Sequence, residues 1–176
     1  MQKLSKGVAA PSCQVVPVGK QQTQLLTLLA GRSTALYFLR DYACVLAQAE
    51  LKRLVQEKPL FDAAGVQLVA VLDSDATLLD TVSALRQLPF AVISSESGCL
   101  YDLYGVGCAA DKESLGDTGT MQSIAEAKAA GFSHGKDTGS PLRLPAVFLI
   151  GVDGRIQKAY YGRLADDVPL PTQLLT

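Results

Sequence analysis

Hydrophobic and polar positions alternate between two periods along most of the chain. Residues 34–39, Thr-Ala-Leu-Tyr-Phe-Leu, form a short apolar run that breaks at Arg40-Asp41, the signature of a buried strand. From Ala47 the apolar positions fall at Leu51, Leu54 and Val55, with Glu50, Lys52, Arg53 and Gln56 around the rest of the wheel, which predicts an amphipathic helix. Gly65 precedes a second buried strand over 66–72, and Asp73-Ser-Asp75 supplies N-cap candidates for a helix with Leu78, Leu79, Val82 and Leu85 on one side. The resulting βαβα order predicts an α/β layer fold.

Pro89 ends that helix, 90–93 reads as a third strand, and Ser97-Gly98 opens a short helix through Leu100 and Leu103. Residues 109–143 differ in character: polar and glycine-rich, with one helix expected over 123–130, they read as an insertion. Beyond them a strand over 145–150, the turn Val152-Asp-Gly154 and a strand over 155–161 predict a β-hairpin. A C-terminal helix interrupted by Pro169 and Pro171 is expected from Asp166 onward. Neither a repeat nor a linker breaks the sequence, so the expectation is one domain over 1–176 with an insertion at about 109–143.

Composition narrows the function classes. A chain of 176 residues with 48% apolar and 19% charged residues has the makings of an ordinary globular core. Sixteen basic residues against seventeen acidic ones leave a net charge of −1, which gives no basic field for nucleic acid or anionic lipid. The N-terminal lysines are not followed by an apolar stretch, and the longest apolar run, 144–152, is too short to span a bilayer, so a cytoplasmic protein is expected. Four cysteines, at 13, 44, 99 and 108, are too irregularly spaced for a disulfide framework, and with His134 as the sole histidine no metal is expected. No cofactor is implied either.

The position that stands out is the junction between the first predicted strand and its helix, 38–51, which contains Cys44. A thiol at the first turn of a helix meets the positive end of the backbone dipole and unpaired N–H groups, both of which favour the reactive thiolate. The competing reading is an inert, partly buried cysteine. Arg40 either biases Cys44 toward thiolate or simply solvates a strand end. Glu50 is either part of the site or a solvated surface partner of Arg53. Cys99 and Cys108 flank a tyrosine-bearing helix, where burial as small apolar residues competes with a resolving role. Cys13 reads as core or edge packing, Asp73 and Asp75 as caps, Asp166-Asp167 as a helix start, and Tyr160-Tyr161 as core.

Several motifs occur in one order: Gly7-Val-Ala-Ala-Pro11, the strand ending at Arg40 that feeds Ala49-Glu50-Leu51, Leu88-Pro-Phe90 leading to 100–106, and 144–154 followed by Tyr160-Tyr-Gly162. Together they resemble the alkyl hydroperoxide reductase and thiol-specific antioxidant, peroxiredoxin-like branch of the thioredoxin-like superfamily, across nearly the whole chain outside the insertion. The resemblance implies a central mixed sheet flanked by helices, with Pro145 as a cis-proline facing the active-site turn. It also implies a site of Cys44, Pro145, Arg40 and Glu50, and a thiol reductant such as a thioredoxin or glutathione.

Carried over residue by residue, the Pro-x-x-x-Thr-x-x-Cys motif of peroxiredoxins falls on Arg40, Cys44 and Ala47, all three changed. Against the thioredoxin-type Cys-x-x-Cys motif, Cys44 matches the attacking cysteine and Ala47 replaces the resolving one. Two functions stay open: a thiol oxidoreductase acting through Cys44 on disulfides or hydroperoxides, and a non-catalytic redox-sensing or binding module. The sequence leaves the oligomeric state open.

Overall fold

The computed structural model describes residues 2–95 and 98–176. In chain order the elements are β1 (Gln14–Pro17), β2 (Thr23–Gln24), α1 (Leu25–Leu29), β3 (Thr34–Phe38), α2 (Val45–Ala63), β4 (Gln67–Leu72), α3 (Ala76–Thr81), α4 (Ser83–Arg86), β5 (Ala91–Ser94), α5 (Cys99–Leu103), α6 (Thr118–Ala129), β6 (Ala146–Ile150), β7 (Ile156–Tyr161) and α7 (Pro171–Leu175). The strands form one mixed sheet in the order β2-β1-β5-β4-β3-β6-β7. β3 runs parallel to β4, and β4 to β5, while β1, β6 and β7 pair antiparallel with their neighbours.

The central strands are apolar because both faces of the sheet are covered. Side chains alternate across a strand, so Leu36, Phe38, Val69, Val71 and Phe148 pack on one side against α1 and α5, through Leu25, Leu29, Tyr101 and Tyr104. Ala35, Tyr37, Ala70, Leu72 and Val147 pack on the other against Leu51, Leu54 and Phe61 of α2 and Leu174 of α7. Helices flanking a mixed sheet are the arrangement expected from the sequence.

Three expectations about elements are corrected, and a fourth falls partly outside the described residues. The helix expected to carry Leu78 through Leu85 is two helices, broken at Val82, whose backbone is extended; the break lets Leu79 and Leu85 both reach the core. α6 starts earlier than residue 123, because the Asp117 side chain accepts from Thr120 N at 2.9 Å and caps the helix there. No helix starts at Asp166. Pro169 and Pro171 disfavour helical geometry in the residues before them, so α7 begins at Pro171, where a missing N–H costs nothing. The expected start of α5 at Ser97 lies outside the described residues, and Gly98 is its N-cap. β1, β2 and α1 were not foreseen, since their runs are too short to show a period.

Residues 109–143 fold back over the end of β3 rather than projecting from it. α6 packs on α2, where Val45 and Leu46 meet Ala127 and Ala165 in a third apolar cluster. Gly135 N donates to Ala43 O, and Gln48 Nε2 donates to Ser133 O. Among the described residues, no helix is long and apolar enough to cross a membrane.

Candidate active site at the β3–α2 corner

The chain between β3 and α2 is fixed by a buried carboxylate. Asp41, 3% exposed, accepts from Ala43 N and Ser74 Oγ on one oxygen, and from Thr138 N and Gly139 N on the other. Burial works against its charge, but these hydrogen bonds outweigh it and hold the carboxyl below the usual aspartate range. Cys44 N closes the turn by donating to Asp41 O at 2.9 Å. Asp41 thus ties the corner to β4 and to the end of the 109–143 segment at once.

Asp73, expected as a cap, is instead a second such anchor. It is 4% exposed and accepts from Arg143 Nε at 2.9 Å and from Ser140 N at 3.0 Å. The Arg143 guanidinium also lies over the Tyr101 ring, 4.5 Å from its centroid. The cap itself is Asp75, which accepts from Leu78 N. Asp166, rather than starting a helix, accepts from Thr120 Oγ1 and Ser123 Oγ of α6.

Within this frame Cys44 is the N-cap residue of α2, half-buried and in the reduced state, with no side-chain capping bond. Arg40 does not solvate a strand end. It is 8% exposed, and each of its three guanidinium nitrogens donates one hydrogen bond: Nε to Cys44 Sγ at 3.3 Å, Nη2 to Pro141 O at 2.8 Å, and Nη1 to Arg143 O. Arg40 thereby sets a charged donor against the sulfur at the start of α2. Arg40 also clasps the loop that leads into Pro145.

Pro145 lies at the same end of the sheet, as expected, because β6 pairs with β3 in the register Phe38↔Ala146. It is not a cis-proline: the described residues contain no cis peptide bond. Trans is the preferred X–Pro form by ~0.5–1 kcal/mol, and here it already lets Pro145 O accept from Gly162 N at 2.9 Å. The trans bond removes the cis-proline but leaves the arrangement of strands intact.

Pro145, Arg40 and Glu50 share an open cleft of about 550 Å³ with Ala47, Arg53 and Asp166. Glu50 is no solvated surface residue. Its side chain is 13% exposed and is held by Arg53 Nε at 2.8 Å, while Arg53 also reaches Glu57. Burial raises the Glu50 carboxyl above its ordinary range, partly offset by Arg53. Glu50 and Cys44 share no hydrogen bond, so the four expected site residues form two adjoining groups. Arg40 joins them, with Cys44 on one side and the cleft over Ala47 on the other; Cys44 is not among the residues that line the cleft.

Cys108, expected to be buried, is exposed, with its sulfur 3.4 Å from Ser140 Oγ. Cys13 packs on the α5 face of the core, as expected. Tyr160 and Tyr161 are half-buried, and the Tyr161 hydroxyl donates to Tyr104 O. The sequence reading missed Asp41 and Arg143 altogether. The available signal was a pair of aspartates just past the ends of two apolar strands, with an arginine, just before a third, that pairs with Asp73. Among the described residues, no cluster of three or more His, Cys, Asp or Glu side chains is placed to hold a metal ion.

A mixed sheet with a parallel centre, covered by helices on both faces, defines a thioredoxin-like fold, and its β3–α2 corner carries Cys44 beside Arg40. Residues 7–159 match the model of the AhpC/TSA family, and the chain belongs to that family. No match was found among curated protein sequences. Among solved structures, the chain is similar to peroxiredoxin 6 of Arenicola marina, solved as a cysteine-to-serine mutant, with TM-score 0.67 and 19% identity over 98% of this chain and 70% of that one. It is also similar to a protein of Chlorobium tepidum assigned as the thiol:disulfide interchange protein DsbE, with TM-score 0.60 and 24% identity over 98% and 97%. A third is a yeast mitochondrial 1-Cys peroxiredoxin, described with a thiol-resolving mechanism via glutathione/thioredoxin systems, with TM-score 0.60 and 15% identity over 98% and 73%.

Proposed function

We propose that this protein is a thiol-dependent oxidoreductase that acts through Cys44 on disulfides, with hydroperoxides as the alternative substrate. The observation that carries the reading is the Arg40 Nε–H donated to Cys44 Sγ at 3.3 Å, at the N-terminus of a 19-residue helix. In the proposed cycle the Cys44 sulfur attacks one sulfur of the substrate disulfide, forms a mixed disulfide and expels the other half as a thiol. Ala47 offers no second sulfur within the motif. An external thiol, glutathione or a thioredoxin, then attacks the mixed disulfide and returns Cys44 to its reduced form. External resolution is what is described for the yeast 1-Cys relative. Arg40 positions and activates the sulfur, and Pro145 and Glu50 shape the neighbouring cleft. The cytosol suits four cysteines that are all free, and 109–143 acts as an insertion within one domain.

A second reading, a non-catalytic binding or redox-sensing module, draws on a specific observation: Ala47 lines the cleft, and none of its lining residues is a cysteine. The two readings part on Cys44. With a small disulfide as substrate and glutathione as reductant, the wild type is expected to turn over and to yield a Cys44–glutathione adduct by mass spectrometry, and Cys44→Ser to do neither. Turnover that survives Cys44→Ser removes Cys44 from the mechanism, and a wild type without turnover or adduct leaves the binding module.

A further inference from the structure

A second pair of thiols lies on the opposite side of the sheet from α2. Cys13 immediately precedes β1, which pairs antiparallel with β5 through Val16↔Ser94 and Pro17↔Ile93. That direction brings the residue before β1 toward the segment that follows β5, where α5 begins with Cys99. The approach is held on both flanks. Leu25 N donates to Cys13 O at 3.0 Å, and the Tyr104 hydroxyl donates to Pro11 O at 2.9 Å, fastening the end of α5 to the chain just before Cys13. The Cys13 side chain packs on the cluster containing Leu100, Tyr101 and Tyr104, the residues that follow Cys99, and Cys99 is its neighbouring thiol. Both thiols are reduced and half-buried.

We propose that Cys13 and Cys99 are a second dithiol site, oxidised to an intramolecular disulfide by low-molecular-weight disulfides, independently of Cys44. A disulfide needs its two sulfurs brought together in a narrow geometry, and the β1–β5 register with the packing of Cys13 against α5 sets the two thiols side by side on separate elements. Burial and the neighbouring thiol push Cys13 up to about 12, so Cys99 is the first nucleophile. The Cys99 thiolate attacks one sulfur of the small disulfide; a Cys99 mixed disulfide forms, and the departing thiolate takes up a proton. Cys13 then gives up its proton as it attacks the Cys99 sulfur, the Cys13–Cys99 bond forms, and the second small thiol leaves. One disulfide is reduced to two thiols and one protein dithiol is oxidised. The product bond ties the β1 end of the sheet to α5 across a long stretch of chain, where a covalent link constrains the unfolded state most.

The test uses full-length Cys44→Ser/Cys108→Ser protein, which keeps only Cys13 and Cys99, incubated with oxidised glutathione. The expected result is a cross-linked pair of peptides containing Cys13 and Cys99, two hydrogens lighter than the separate thiols. Both should be lost to alkylation together, both should return with dithiothreitol, and the melting temperature should rise. Adding Cys13→Ser should leave an unresolved glutathione adduct on Cys99. Persistent glutathione adducts without a cross-link in the two-cysteine protein, or thiols that stay free when a cysteine peptide in the same solution is oxidised, would overturn the proposal. If the double variant fails to fold, the wild type answers the same question: a Cys13–Cys99 cross-link supports the site, and a cross-link of either residue to Cys44 or Cys108 sinks it. Cys44 turnover plays no part in any of these readouts.

Discussion

Cys44 and Cys13 are both half-buried, both reduced and both placed where the chain enters a regular element, yet their surroundings differ in kind. Cys44 faces a guanidinium whose Nε–H points at the sulfur, on a corner pinned by the Asp41 carboxylate. Cys13 faces apolar side chains and another thiol, and it is pushed up to about 12. Burial among apolar side chains and then the neighbouring thiol set the Cys13 value. The difference has a size. Raised from the ordinary thiol range to about 12, Cys13 has a much smaller thiolate fraction at neutral pH, while its intrinsic nucleophilicity rises with a Brønsted slope of ~0.4–0.5. The net expectation is iodoacetamide labelling of Cys13 more than about tenfold slower than that of an unhindered thiol at neutral pH, with Cys44 ahead of it. Peptide-resolved labelling kinetics measure both at once, and equal rates would erase the contrast.

A smaller effect isolates the cause on the Cys44 side. Arg40→Gln keeps a donor of similar reach and removes the charge. A hydrogen bond to a charged group is worth roughly 1.5–3 kcal/mol, and with Cys44 half-exposed to water the lower end applies; after the same Brønsted offset, Cys44 alkylation should slow about fourfold while Cys13 is unchanged. Arg40 also holds Arg143 O and Pro141 O, so a melting curve must accompany the rates. A variant that melts earlier but labels Cys44 at the wild-type rate would reduce Arg40 to a clasp for the loop before β6.

The two cysteine environments also differ in how legible they were. The strand 34–38 and the helix after it announce themselves through period, and with them the position of Cys44 at the helix start. The motif order led to the family, and 7–159 matches it. What period does not encode is long-range pairing. Asp41 meets Thr138 and Gly139, and Asp73 meets Arg143, only because a polar segment with no periodic signal folds back over the sheet. Cys13 meets Cys99 only through the pairing of β1 with β5, and β1 is four residues long. Pro145 shows the converse limit: the sheet register was inferable, while its peptide-bond isomer was assigned by analogy and is trans.

Glu50 carries the smallest expected effect and separates the cleft from the sulfur. It lines the same cleft as Arg40, its carboxyl is raised by burial with Arg53 in partial opposition, and it makes no hydrogen bond to Cys44. A carboxyl raised on folding stabilises the protein fully below its unfolded value of about 4.3, and that contribution is lost as pH rises through the higher folded value. Wild-type stability should therefore sag slightly as the pH rises through that window, and Glu50→Gln should flatten the sag. At neutral pH the substitution trades relief from burying a charge against loss of the Arg53 pair. Arg53 keeps Glu57 as a partner, so the net change should stay below ~1 kcal/mol. If Glu50 only shapes the cleft, Cys44-dependent turnover should change by less than about threefold, whereas removing a general acid typically costs ~10²–10⁴-fold. A loss in that larger range, together with disappearance of one limb of the pH–rate profile, would place Glu50 beside Cys44 in the proton transfers. The cleft over Ala47 and the Cys44 sulfur would then work as one site rather than as two groups joined by Arg40.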